Sequence, residues 1–216
     1  MVEWTGIFQN QAEIANSPVH PYNPKPGDLK FKDQNGDNKI NGDDRVVVDG
    51  YYPKFFYGGG FNLYWKNFDI SAFFQGVEGV KNYLGGMHRA WGYAPFAQGS
   101  PPTMDLVRNH WTGEGSTNKY PAMFEQTYMP MNGTANTWWL LDASYLRLKN
   151  LRIGYNVPKA WAKHIGMNGL QIYLSGDNLL TFTKYPGIDP EKPDLGSGYA
   201  TFPQLTTYAF GLKIKL

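Results

Sequence analysis

The last twelve residues, Leu205 to Leu216, alternate so strictly that they define both an element and its surroundings. Tyr208, Phe210, Leu212, Ile214 and Leu216 share one parity, and Thr207, Ala209, Gly211, Lys213 and Lys215 share the other. A period of two with one apolar and one polar face is a β-strand between two different environments. A soluble sandwich and the wall of a membrane barrel both produce it, so the rest of the chain has to choose between them.

Composition narrows the choice to β-rich architectures, because aromatic residues make up 16% of the chain and glycine is abundant. The net charge is +2, with no basic block, so no nucleic-acid partner is expected. The absence of cysteine removes disulfides, thiolate zinc sites and cysteine nucleophiles. No run of eighteen apolar residues occurs, which excludes a transmembrane helix. A barrel strand needs only about ten alternating residues and escapes that test. Met1-Val2-Glu3-Trp4 is not the start of a signal peptide, so the expectation is a piece of a longer or processed chain.

Four stretches follow along the sequence. Residues 1–54 read as an outer loop, broken by Pro18, Pro21, Pro24 and Pro26. Residues 55–78 read as a hairpin: Phe61, Leu63 and Trp65 on one face of its first strand, Phe68, Ile70, Ala72 and Phe74 on one face of its second, and Lys66-Asn67 as the turn. Residues 79–142 form a long irregular connection with a helix at Met104 to Trp111. Residues 143–216 hold the remaining strands. There Tyr145 to Leu148 and Leu151 to Tyr155 favour opposite parities, which predicts a bulge near Asn150. Lys159 to His164 predicts a short helical turn, and Leu170, Ile172 and Leu174 open the strand after it.

Short connections at one end and long ones at the other are the asymmetry of a transmembrane barrel. The expected fold is therefore all-β: antiparallel strands of an incomplete barrel, with short periplasmic turns and long extracellular loops. Phe61, Leu63, Trp65, Ile70, Ala72, Phe74, Leu170, Ile172, Leu174, Phe210, Leu212 and Ile214 are expected on one common convex face.

Several strings carry a resemblance: Thr5-Gly6-Ile7-Phe8-Gln9-Asn10, Gly27-Asp28-Leu29-Lys30-Phe31-Lys32-Asp33, Asn67-Phe68-Asp69-Ile70-Ser71-Ala72-Phe73-Phe74-Gln75-Gly76, Ala143-Ser144-Tyr145-Leu146-Arg147-Leu148-Lys149-Asn150-Leu151 and Ser175-Gly176-Asp177-Asn178-Leu179-Leu180-Thr181-Phe182-Thr183. Together they resemble the C-terminal barrel of SusC/RagA-type TonB-dependent outer-membrane transporters, over nearly the whole chain. The resemblance implies a large barrel of about 22 strands around a plug, of which this chain would be a C-terminal fragment. It implies energised uptake of oligosaccharides or peptides across the outer membrane. The implied partners are a SusD-like lipoprotein over the outer loops, TonB acting through a plug region absent here, and outer-membrane lipid.

Asp33-Gln34-Asn35-Gly36-Asp37-Asn38-Lys39-Ile40-Asn41-Gly42-Asp43-Asp44 is the most specific local motif. Its oxygen donors recur with the spacing of an EF-hand or dockerin-type calcium loop. Asp33, Asn35, Asp37, the Lys39 carbonyl, Asn41 and Asp44 are the candidate ligands of a structural calcium ion, with Ile40 as the apolar anchor. Asn38 stands where such loops carry glycine, and Asp44 is shorter than the usual glutamate. The competing reading is an Asx-rich turn capped by its own side chains.

Trp91, Tyr93 and Trp111 are the candidate substrate-binding residues, since exposed rings in a long loop stack on sugar faces; loop packing is the alternative. Trp138 and Trp139, just before a strand, read as an aromatic girdle. No enzyme is expected. His20, His88, His110 and His164 have no metal-ligand spacing, and Asp189, Glu191 and Asp194 fall in what reads as an exposed proline-rich turn. The competing function is a soluble, calcium-stabilised, carbohydrate-binding β-sandwich module.

Overall fold

The computed structural model describes residues 1–83, 104–123, 135–186, 189–192 and 204–215. Trp91, Tyr93 and Asp194 lie outside the described residues. In chain order the elements are β1 (Trp4–Ile7), α1 (Gln11–Ala15), β2 (Leu29–Phe31), β3 (Phe55–Trp65), β4 (Phe68–Glu78), β5 (Lys81–Tyr83), α2 (Met104–Asn109), β6 (Leu140–Asp142), β7 (Tyr145–Asn156), α3 (Lys159–His164), β8 (Gly169–Thr183) and β9 (Thr207–Lys215). They form two units. One comprises residues 1–49 and the described part of 82–141; the other comprises 50–81 and the described parts of 142–192 and 202–216.

The second unit is a five-stranded antiparallel sheet in the order β3-β4-β7-β8-β9. Trp65 pairs directly with Phe68, so the hairpin turn is Lys66-Asn67 alone, and Lys66 takes the positive φ of 53° that such a turn demands. Residues opposite one another across a ladder point the same way, so the register assigns faces. One row runs Trp65, Phe68, Tyr155, Ile172, Leu212; the next runs Leu63, Ile70, Ile153, Leu174, Phe210. A third begins Phe61, Ala72, Leu151 and ends at Tyr208. All twelve residues expected on a common face are on it.

The opposite face carries Asp69, Ser71, Gln75, Arg147, Asn150, Arg152, Ser175, Asp177 and Thr181. Between Leu148 and Asn150 the register of β7 shifts against both neighbours. This bulge keeps Leu148 and Leu151 on the apolar face although they are three residues apart. On β8 the matching irregularity is at Asn178, with φ 53°. Tyr57 lies over Gly76 and Tyr173 over Gly211, each ring occupying the space a Cβ would need.

Among the described residues no second sheet covers the apolar face. Leu174 and Phe210 are 60% and 66% exposed, and Leu63, Trp65 and Leu212 are exposed as well. The sandwich expectation therefore fails: a sandwich core would bury these side chains between two sheets.

The first unit is built on the opposite plan. Its core is Val2, Ile7, Leu29, Phe31 and Ile40, with Trp4, Trp111 and Trp138 packed around it. β1 and β2 pair antiparallel, Ile7 opposite Leu29. The prolines do not make residues 1–54 an irregular loop throughout. Asn10 caps α1 by accepting from the Glu13 amide at 2.9 Å, and the Glu13 carboxylate reaches back to the Gln9 amide at 3.0 Å. These local bonds, with the burial of Ile7 and Phe8, order a segment whose composition alone reads as loop.

Candidate functional site

The Asp33–Asp44 loop folds on its own side chains. Asp33 accepts from the Gly36 amide (2.7 Å) and the Asn38 amide (2.8 Å), Asn35 from Asp37 (2.9 Å), Asp37 from Lys39 (2.9 Å) and Asn41 from Asp43 (2.7 Å). Gly36 and Asn38 take φ values of 76° and 62°, the left-handed backbone that wraps the amides inward. Asp44 closes the loop, accepting from the Gln34 amide at 2.8 Å and the Asn41 amide at 2.7 Å. Asp44 is fully buried. Burial alone would raise its carboxyl, but the Asn41, Gln34 and Asn35 amides and a hydrogen bond with Asp33 outweigh that and hold it below the ordinary carboxylate range. Ile40 sits in the core cluster, under the loop.

For a cation the donor chemistry is right, since every candidate is a hard oxygen. Among the described residues, however, no three acidic or histidine side chains converge as a metal-holding group. Asp33 and Asp44 are the carboxylates that meet; Asn35, Asp37, Lys39 and Asn41 are exposed around them.

Trp111 is a packing residue in this structure. Its indole N–H donates to Gln9 at 3.1 Å, and its ring occupies the space beside Gly27 where a Cβ would go. Trp138 and Trp139 correct the girdle expectation. They stand in the 3-10 turn Thr137–Trp139 of the first unit, in edge-to-face contact at 4.7 Å. Trp139 is buried, and Trp138 donates to the Lys119 carbonyl at 3.1 Å and packs on the core. Sequence adjacency to a strand misled the assignment, because that strand is β6 and not part of the five-stranded sheet.

Asp189 is the larger correction. The Asp189–Glu191 stretch is not an exposed turn: the Asp189 and Arg147 side chains are each 3% exposed. Arg147 donates from Nη2 to Asp189 at 2.8 Å, from Nε to Thr181 at 2.8 Å and from Nη1 to Glu191. Lys149 and the Tyr145 hydroxyl each donate to Glu191 at 2.7 Å. Burial pushes both carboxyls up, and their donors outweigh it. The Gln204 and Glu191 amides and Arg147 hold Asp189 below the ordinary range; Lys149, Tyr145 and Arg147 do the same for Glu191. Two carboxylates consumed by these partners have no free proton to exchange with a substrate.

A sheet whose apolar face is uncovered among the described residues, while its polar face holds the buried Arg147–Asp189 ion pair, is turned inside out relative to a soluble domain. It is a segment of a transmembrane β-barrel. Comparison with known proteins agrees. The chain is 31% identical over 229 aligned positions to TonB-dependent receptor P3 of Formosa agariphila, covering 99% of this chain and 21% of that one. It is 25% identical to TonB-dependent receptor SusC of Bacteroides thetaiotaomicron, over 91% of this chain and 18% of that one. Its fold matches the RagAB peptide importer in the open-open state with a TM-score of 0.70, at 24% identity, over 100% of this chain and 22% of that one. No family model matches the chain. The chain belongs to the SusC/RagA family of TonB-dependent receptors, and it spans about a fifth of the length of the relatives it matches.

Proposed function

We propose that the chain forms part of the wall and outer loops of an outer-membrane importer that performs no chemistry of its own. The transporter would be energised by TonB through a plug lying outside these residues. A SusD-like lipoprotein would seat over the long connections, and the cargo would be an oligosaccharide or a peptide.

The uncovered apolar face carries this reading. From the rim pair Phe55 and Glu78 to the rim at Trp65 and Phe68 the strand rises about 34 Å, or about 26 Å across a membrane at ~40° tilt. That matches the apolar band of outer-membrane barrels, about 25 Å tall. Its turn end is lined by aromatic rings, Trp65 against Phe68 at 6.3 Å and Phe68 against Tyr155 at 4.9 Å, as interfacial girdles are. Among the described residues β3 and β9 are the edge strands, and their outer ladders are open to further strands.

In the full-length transporter, deleting residues 85–137 is expected to impair uptake and lipoprotein capture more than replacing Lys213 and Lys215 with alanine, at equal surface levels. Loop deletion that leaves both intact overturns the assignment of ligand and partner contacts to this connection. Glycan or peptide cleavage by the purified protein would overturn the non-enzyme reading.

Calcium is proposed as a structural cofactor of the Asp33–Asp44 loop, held by Asp33, Asn35, Asp37, the Lys39 carbonyl, Asn41 and Asp44. It would add positive charge where Asp33 and Asp44 meet and so stiffen the loop. Isothermal titration of the full-length protein should give binding that Asp37→Ala weakens. Without millimolar or tighter binding, only the self-capped turn remains.

A further inference from the structure

We propose that Arg147 is a positioning residue: it fastens the Asp189–Lys192 turn to the polar face of the wall, so that this turn is a fixed part of the lining and not a moving gate. The naming of that face as the lining rests on the barrel reading above. The fastening itself rests on geometry within one unit.

Three features carry it. First, the guanidinium uses all its directions. Nε goes to Thr181 on β8, Nη2 to Asp189 and Nη1 to Glu191, so one side chain rooted in β7 ties the neighbouring strand to two carboxylates of the turn. A lysine, with a point charge and no planar fork, cannot make that set.

Second, the bulge recruits a second cation. The extra residue that β7 carries against β4, between Leu148 and Asn150, is Lys149, and its ammonium reaches both Glu191 oxygens, at 2.7 and 3.0 Å. Arg147 and Lys149 then balance Asp189 and Glu191, and every charge has a partner. Arg147 and Asp189 are each 3% exposed, whereas Lys149 and Glu191 keep 20% and 18% of their side chains open. Removing Arg147 therefore leaves Asp189 as an unpaired buried charge, which costs far more than an exposed pair returns.

Third, the clamp reaches onward to β9. Asp189 accepts from the Glu191 amide at 2.9 Å and from the Gln204 amide at 2.8 Å, joining two points fifteen residues apart in the same connection. Just beyond Gln204, Asn178 donates to the Leu205 carbonyl and accepts from the Thr206 hydroxyl. The turn and the entry into β9 are thus held by one carboxylate and one bulge. A gate has to leave its seat on the timescale of transport, and elements that do so have few buried contacts. This turn has the opposite character.

The chain has no cysteine, so a cysteine replacing Lys192 in the full-length transporter, with any cysteine elsewhere removed, reports on the turn through its rate of maleimide labelling in isolated outer membranes. In that background Arg147→Met is expected to raise the rate at least about tenfold, Glu191→Gln by a few-fold, and Arg147→Lys to an intermediate level, because an unpaired buried charge opens the turn locally. The heat-modifiable folded band of the barrel should persist in all three. Labelling of Arg147→Met at the parental rate overturns the proposal. So does loss of the folded band in all three variants, which would make the cluster part of barrel assembly instead of a fastening. If the parental protein is found outside the membrane fraction, it is the barrel reading that fails, and the labelling comparison still decides the clamp in the soluble protein.

Discussion

Ile40 and Leu174 are both branched aliphatic residues, yet Ile40 is 5% exposed at the centre of the first unit while Leu174 stands 60% exposed in the middle of the sheet. The first unit hides its apolar groups and wraps them in Asx turns and a capped helix. The sheet shows its apolar groups and hides Arg147 and Asp189 instead. The two regions draw their stability from different sources. Water drives the first unit together, as in any soluble domain. In the sheet the apolar face gains nothing from folding until lipid or detergent replaces water, and the polar face has to satisfy its charges internally.

Deleting apolar volume in each region is expected to give the largest contrast between them. Phe8, fully buried, is expected to cost about 3–5 kcal/mol of local stability as Phe8→Ala. Hydrogen exchange at the Phe8 and Gly27 amides, which join this segment to its neighbours, should report the loss while the folded-barrel band is unchanged. Leu174→Ala should be close to neutral in detergent. Equal losses at both sites would show that the sheet also relies on a water-driven core.

Charge placed on the two faces gives the next largest effect. Leu174→Arg faces the band and is expected to cost about 2–4 kcal/mol. Ser175→Arg, one residue on and facing the other way, should be tolerated. Urea titration of the folded protein in micelles distinguishes them, and indifference to both would remove the lipid assignment of the apolar face.

His20 sharpens the contrast from the water-driven side. Both of its ring nitrogens are buried and, among the described residues, have no hydrogen-bond partner; the ring lies against Phe8 and Phe31, and burial together with the nearby Lys30 lowers its pKa to about 4. The unfolded histidine, at about 6.5, binds its proton first. Stability is therefore complete above about pH 6.5 and falls as the pH drops towards 4, by up to about 3 kcal/mol. His20→Leu should flatten that profile in the first unit and leave the sheet untouched. A profile unchanged by the substitution would place the acid sensitivity elsewhere.

The smallest effect is local. Asn10→Ala removes the cap of α1 and should cost about 1 kcal/mol. It should be visible as faster exchange at the Glu13 amide, with no change at Phe8. A change that spreads to Phe8 would mean that the helix and the core open together.

Local backbone geometry was legible in the order of the residues. Period-two alternation set the strands and their faces, Lys66-Asn67 set the hairpin, and the clash of parities around Asn150 announced the bulge, because each depends on a few consecutive residues. The twelve-residue spacing likewise foretold the turn that wraps Asp33 to Asp44, including the left-handed Asn38. What burial does to side chains distant in sequence is set by the folded chain. Arg147 meets Asp189 across forty-two positions, and nothing near either residue marks a partner, so Asp189 and Glu191 read as an exposed turn. Trp4 and Trp111 are packed on one core although more than a hundred residues separate them, which is why local context assigned the Trp138-Trp139 pair to a membrane rim. The physical reason is common to these cases: backbone geometry repeats over a few residues, whereas burial and charge pairing are settled only when remote segments meet.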